Sequence, residues 1–285
     1  MANGVPSSSG EFHYGGHRLS YEVHGDEGTP LLLMHGLLLD TLLYRDLADR
    51  FVAEGYRVVL LDLLGHGKSD KPTDPREHRI DFCAEQALAC LDHLGIDRAL
   101  VGGVSLGAVV ALQVAAIAPG RVLGLFLEMP VMEWSTTFAA MMFVPTLTAV
   151  DFARPIVSAW SGFLGRLPRP RAFWMASVMN LIATPPEVIT AVLHGVLVGP
   201  VVPPRRIRRQ LTMPTLVIGH GGDRLHSLRD AEALAAELPD AQLINARSLV
   251  ELRRSPDRMW PEIASFLQRV RRSVEPRRGT ASAAN

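Results

Sequence analysis

The residues best placed to do chemistry lie in Leu100-Val101-Gly102-Gly103-Val104-Ser105-Leu106-Gly107-Ala108. An apolar strand pattern enters Gly-x-Ser-x-Gly and leaves directly into a helical run, Ala108 to Ala118. Glycines on either side of Ser105 allow a tight strand-to-helix reversal that lifts the serine hydroxyl above the sheet edge, where it can attack a carbonyl. A serine hydroxyl is a weak nucleophile until a base takes its proton. His226 lies three residues past Asp223 and His220 three before it, on a segment expected to border the serine. His226 is the first candidate base. His220 is a lesser one, better suited to fixing the loop around Asp223. Glu128, at the end of the apolar stretch after the serine helix, and Asp223 are carboxylates that could take the proton directly, although an ordinary pKa near 4 makes such a base weak without burial.

Those side chains need a scaffold, and the pattern supplies one. Phe12 to Gly16 and Leu19 to Val23 read as an opening hairpin. Leu31 to Met34, Val58 to Leu61, Leu100 to Val104, Val122 to Leu127, Thr215 to Ile218 and Ala241 to Asn245 read as further strands. Their continuous apolar runs suit a parallel sheet covered on both faces. Helical spacing separates them: Leu43, Leu47 and Phe51; Ala84, Ala87, Leu88, Leu91 and Leu94; Leu228 to Leu238; and Ile263, Phe266, Leu267 and Val270. The alternation predicts an α/β fold. Between Glu133 and Arg209 it breaks into Pro-divided helical segments. Their Trp134, Phe138, Met141, Met142, Phe143, Trp160, Phe173, Trp174, Met175 and Met179 read mostly as the core of an inserted subdomain, with some facing a pocket. The expected division is a core of residues 11–132 and 210–270, a helical lid over 133–209, and disordered ends at 1–10 and 271–285.

Composition narrows the function. Twenty-nine basic residues balance 29 acidic ones, so no overall field favours nucleic acid. Gly67-Lys68-Ser69 is not a phosphate loop, because the glycine required five positions before Gly67 is Asp62. Cys83 and Cys90 share one predicted helix at a spacing unsuited to a disulfide, and Met1 to Ser7 lacks a basic-then-apolar leader. A cytoplasmic protein is expected. No run of about 18 apolar residues predicts a membrane span.

These stretches together resemble the α/β-hydrolase fold family, in its lid-bearing branch of esterases, C–C bond hydrolases and cofactor-free haloperoxidases. The resemblance covers about residues 11–270. His35-Gly36 looks like the family's oxyanion loop. Asp62-Leu63-Leu64-Gly65-His66-Gly67-Lys68-Ser69-Asp70 looks like its Asp-x-Pro-Gly-x-Gly-x-Ser segment, with Leu64 in place of proline. Gly103 to Gly107 matches its nucleophile elbow. Met213 to Ile218 leading to Asp223 resembles the strand that delivers the triad acid. The resemblance implies a mostly parallel eight-stranded sheet flanked by helices, with Ser105 as nucleophile, Asp223 as acid, and the backbone N–H groups of Leu37 and Leu106 as oxyanion donors. It implies no cofactor and no metal.

One family feature is missing. The triad histidine lies after the last strand, a few residues before a Glu-x-Pro. Here Asn245 to Pro256 places Leu249 in that position, and no histidine follows His226. The expected activity is therefore an atypical serine hydrolase for a small apolar ester, thioester or related carbonyl compound, with His226 standing in as base. Two rival readings keep the pocket without acylation: a ligand-binding or receptor-like protein, as in the plant gibberellin receptor, and a lyase or cyclase.

Overall fold

The computed structural model describes residues 6–199, 201–222 and 225–274. Two extended segments, β1 (Ser8–Tyr14) and β2 (His17–His24), open the chain as an antiparallel hairpin. Gly15 and Gly16 turn it with φ of 60° and 85°, the left-handed pair that a two-residue hairpin loop requires. There follow β3 (Thr29–Met34), α1 (Leu42–Ala53), β4 (Tyr56–Asp62), α2 (Ile80–His93), β5 (Ala99–Val104), α3 (Leu106–Ile117) and β6 (Val122–Glu128). Five helices come next: α4 (Glu133–Phe152), α5 (Arg154–Gly165), α6 (Phe173–Ile182), α7 (Pro186–Leu197) and α8 (Arg205–Arg208). The alternation then resumes with β7 (Thr215–His220), α9 (Leu228–Glu237), β8 (Ala241–Ala246), α10 (Glu251–Arg254) and α11 (Trp260–Val274).

The eight strands form one sheet in the order β1-β2-β4-β3-β5-β6-β7-β8. The β1–β2 and β2–β4 pairs are antiparallel and the other five are parallel. Every residue of β5, β6 and β7 is buried, as continuous apolar runs in a two-sided sheet demand. One core packs α2, α3 and α9 on one face of the sheet, and a second packs α1 and α11 on the other. Cys83 and Cys90 are buried free thiols of α2. Among the described residues no single helix is long and apolar enough to cross a membrane.

The ends differ from the composition-based reading. Ser8 to Gly10, expected to be disordered, pair with Tyr21 to Val23; small polar residues suffice for an edge strand when the backbone ladder holds them. At the other end α11 runs on to Val274, with Arg271 donating to the Glu54 carbonyl at 2.7 Å. Of the expected disordered ends, residues 1–5 and 275–285 lie outside the described residues. The helices between β6 and β7 also depart from expectation. Trp134, Met141, Trp160 and Met175 are exposed rather than packed, because α4 buries only Ser135 and Ala139 and α5 only Ser161.

Candidate active site

The candidate side chains gather at the carboxyl ends of β5, β6, β7 and β8, the edge where parallel sheets of this kind hold ligands. Ser105 sits between β5 and α3 with φ 54° and ψ −108°, outside the regions a serine ordinarily adopts. Such a conformation costs about 1–3 kcal/mol and persists only where its surroundings impose it. Two glycines do so. A side chain at Gly103 would meet the Met34 carbonyl at 2.3 Å and the Gly107 backbone at 2.8 Å, and one at Gly107 would meet the same carbonyl at 2.1 Å. Their bare backbones let α3 close onto β3 and β5, and the Ser105 N–H donates to the Glu128 carbonyl at 2.8 Å.

His226 reaches this serine from the loop after β7, with Nε2 3.0 Å from Ser105 Oγ. Its loop is anchored to the start of α4. The Ser227 N–H donates to Ser135 Oγ at 3.0 Å. Asp230, buried at the start of α9, accepts the N–H groups of Met132, Trp134 and Ser135 at 2.8–3.1 Å. A carboxylate at a helix N-terminus satisfies donors the helix leaves open and opposes its dipole. Nothing in the sequence marked Asp230 or Ser135, because their partners lie more than 90 residues away. Asp223, the expected acid, lies outside the described residues. His220 closes β7, its Nδ1 accepting the Gly222 N–H at 2.9 Å, at the root of the loop that carries His226.

Glu128 and Arg253 form an unexpected pair. Glu128, a candidate base by sequence, is 1% exposed and bound to the Arg253 guanidinium. Its other carboxylate oxygen accepts the Tyr44 hydroxyl at 3.2 Å. Burial, with the neighbouring Glu128 charge, pushes the Tyr44 hydroxyl well above its ordinary range, so it stays a donor. Burial opposes the Arg253 charge, and Glu128 and Tyr44 outweigh it. The Glu128 carboxylate is thus taken up by two partners. Arg253 does not pair with Glu251, which instead binds Arg258 at 2.6 Å.

The remaining histidines of the edge are structural. His35 Nε2 accepts the Leu63 N–H at 3.1 Å, which leaves Nδ1 to donate to the Gly36 carbonyl at 2.8 Å. His66 is buried, and burial holds it well below the usual histidine range, as a neutral ring bonded to the Leu64 carbonyl. Asp62 accepts the N–H groups of Thr41 and Lys68 at 2.8 and 2.9 Å and so fastens the Gly-rich loop to the turn before α1.

Ser105 borders two apolar cavities. One, of about 80 Å³, is lined by Ile80, Leu106, Val109, Val131, Ala139 and Val196 among others. The second, of about 610 Å³, is lined by Leu43, Met129, Trp174, Leu193, His226, Leu249, Val250 and Arg253 among others. Leu37, Ser105, Phe143 and Leu225 belong to both walls. Leu249 therefore faces the serine's cavity with an aliphatic side chain. Leu106 opens α3, where an N–H has no carbonyl one turn earlier to bond. Among the described residues no group of three or more His, Cys, Asp and Glu side chains is arranged to hold a metal ion.

Comparison with known proteins agrees with this architecture. Residues 29–247 match the family model described as alpha/beta hydrolase fold. A provisionally named carbamate hydrolase, RutD, of Stutzerimonas stutzeri is 29% identical over 244 residues, covering 79% of this chain and 86% of that one. The acetyltransferase component of the acetoin cleaving system of Pseudomonas putida is 42% identical over 109 residues, 38% of this chain and 28% of that protein. Across the first four curated relatives the match spans only 28–40% of their own length. Among solved structures, a thermophilic esterase from Thermogutta terrifontis superposes with a TM-score of 0.75 at 23% identity, covering 93% of this chain and all of that one. A hydrolase from Pseudomonas aeruginosa PA01 superposes at 0.74 and 23%, covering 92% and 98%. At these identities the structural likeness speaks for the fold.

Proposed function

The chain belongs to the α/β-hydrolase fold family, and from that premise we propose that it is a serine hydrolase of small apolar esters, thioesters or related carbonyl compounds. The 3.0 Å approach of His226 Nε2 to Ser105 Oγ carries this reading. The histidine comes from the loop after β7 rather than from the one after β8, where Leu249 stands. The same loop holds Asp223, proposed as the acid that orients the ring through Nδ1. The helices between β6 and β7 serve as the lid, with Phe143 reaching both cavities. The cavity walls, almost wholly apolar, favour an uncharged hydrocarbon substrate portion on either side of the reacting carbonyl.

Ser105 Oγ attacks the carbonyl carbon as its proton passes to His226 Nε2. The carbonyl electron pair moves onto oxygen, facing the backbone N–H groups of Leu37 and Leu106. Collapse expels the alcohol or thiol, which takes the proton from His226. Water then repeats the sequence, releasing the acid and restoring Ser105. No cofactor or metal is needed. Binding of Glu128 by Arg253 and Tyr44 supports His226 over a carboxylate as base, and the bond from His220 to the Gly222 backbone supports a loop-fixing role for that ring.

Fluorophosphonate labelling and hydrolysis of short-chain p-nitrophenyl esters test the proposal. Wild-type protein should be labelled at Ser105. Ser105→Ala and His226→Ala should each lose labelling and about 10⁴–10⁶ in turnover. Labelling at the wild-type rate in His226→Ala would remove that residue as base. An unlabelled wild type would leave a ligand-binding pocket without acylation.

A further inference from the structure

Helices α4 and α5 are far more apolar than their packing explains. Along α5 and the residue pair before it, Phe152 is 92% exposed, Ile156 65%, Trp160 58% and Phe163 53%. Within α5 the spacing of four and three residues sets Ile156, Trp160 and Phe163 on one helix face, while Phe152 ends α4 on the far side of the bend between the two helices. Ile156, Trp160 and Phe163 border an open apolar hollow of about 540 Å³ with Pro155 and Ala159. A continuous exposed apolar surface of this kind marks an interaction site.

The charge around it says what covers it. The chain as a whole is balanced, yet between residues 134 and 185 the only acidic residue is Asp151, against Arg154, Arg166, Arg169 and Arg171. Arg154 pairs with Asp151 at 2.6 Å. Arg166, Arg169 and Arg171 follow directly after α5 and are exposed. A symmetric second copy packed through this region would set one net-positive face against another. An anionic lipid surface would attract them while accepting the aromatic ridge. Helices α4 and α5 together have the length and composition of a span but are bent by 91° at the break between them. We propose that the exposed face of α5, with Arg166, Arg169 and Arg171, docks the protein on anionic phospholipid surfaces. The proposal rests on the outer face alone and stands whether or not Ser105 is a nucleophile.

Co-sedimentation of the full chain with phosphatidylcholine vesicles, with and without phosphatidylglycerol, tests it. Binding should require the anionic lipid and weaken with salt. Phe152→Ser/Trp160→Ser should reduce it on the order of 10-fold or more. Arg166→Gln/Arg171→Gln should reduce it about 25-fold, at roughly fivefold per basic side chain. Ser105→Ala should bind as wild type does. Because all four substituted surface positions are exposed, unchanged thermal unfolding will show that the variants fold. Failure to bind anionic vesicles above the phosphatidylcholine background would overturn the proposal. So would a dimer in light scattering that Phe152→Ser/Trp160→Ser dissociates, which would make the face a subunit contact.

Discussion

The parallel sheet and the helices inserted after β6 use similar residues to opposite ends. In β5, β6 and β7 every residue is buried, and the flanking helices complete two cores. Across the 32 residues of α4 and α5 only Ser135, Ala139 and Ser161 are buried, although between them the two helices carry many Phe, Met, Trp, Ile and Val side chains. In the sheet, apolarity is answered by the chain's own packing, and the small polar set at its edge is held in place by that packing. In α4 and α5, apolarity faces outward or into the cavities, whereas α7 of the same insert is largely buried. The same side-chain types are packed away in one region and left in the open in the other, and burial alone distinguishes the two.

Three measurements sharpen or break this contrast. The largest effect is expected where the sheet edge buries charge. Arg253→Met leaves Glu128 enclosed without its cation and should cost about 3–5 kcal/mol in urea unfolding. Glu128→Gln/Arg253→Met should cost less than Arg253→Met alone; a double variant as unstable as the sum of the singles would show the pair uncoupled.

A matched pair of aliphatic truncations compares the regions directly. Leu33→Ala, in the core of β3, should lose about 2–5 kcal/mol, whereas Ile156→Ala on α5 should stay within about 0.5 kcal/mol. Equal losses would mean that the insert is packed after all.

The smallest effect concerns Glu22 on β2. Its carboxylate is enclosed between Arg45, which donates Nε at 2.7 Å, and Lys68 at 3.7 Å. Burial alone would raise its pKa; His24, Arg45 and Lys68 outweigh burial and hold it at about 2. Because the folded value lies below the unfolded one, the stabilisation is present above about pH 4.5 and lost as pH falls through about 2. Its size is at most about 3 kcal/mol. The stability difference between wild type and Glu22→Gln should therefore narrow from pH 5 to pH 2. A constant difference would mean that Glu22 contributes by shape rather than charge.

Much of the scaffold was legible in the chain itself. Apolar runs and helical spacing located the strands and helices of the sheet region, since period and turn chemistry are local properties. Gly103-x-Ser105-x-Gly107 likewise announced its turn, because only bare backbone permits the close approach found there. The insert misled, since its helical spacing was plain but the burial of its faces was not. The site was legible as a set of candidates only. His226 and Ser105 are 121 residues apart and Glu128 and Arg253 are 125 apart, so their meeting depends on β5, β6, β7 and β8 lying side by side in register. Sequence by itself determined which residues were chemically capable and which elements carried them. Tertiary structure decided which histidine approaches the serine, which cation holds Glu128 and which apolar side chains remain in the open, because those outcomes are distances between elements that no local pattern encodes.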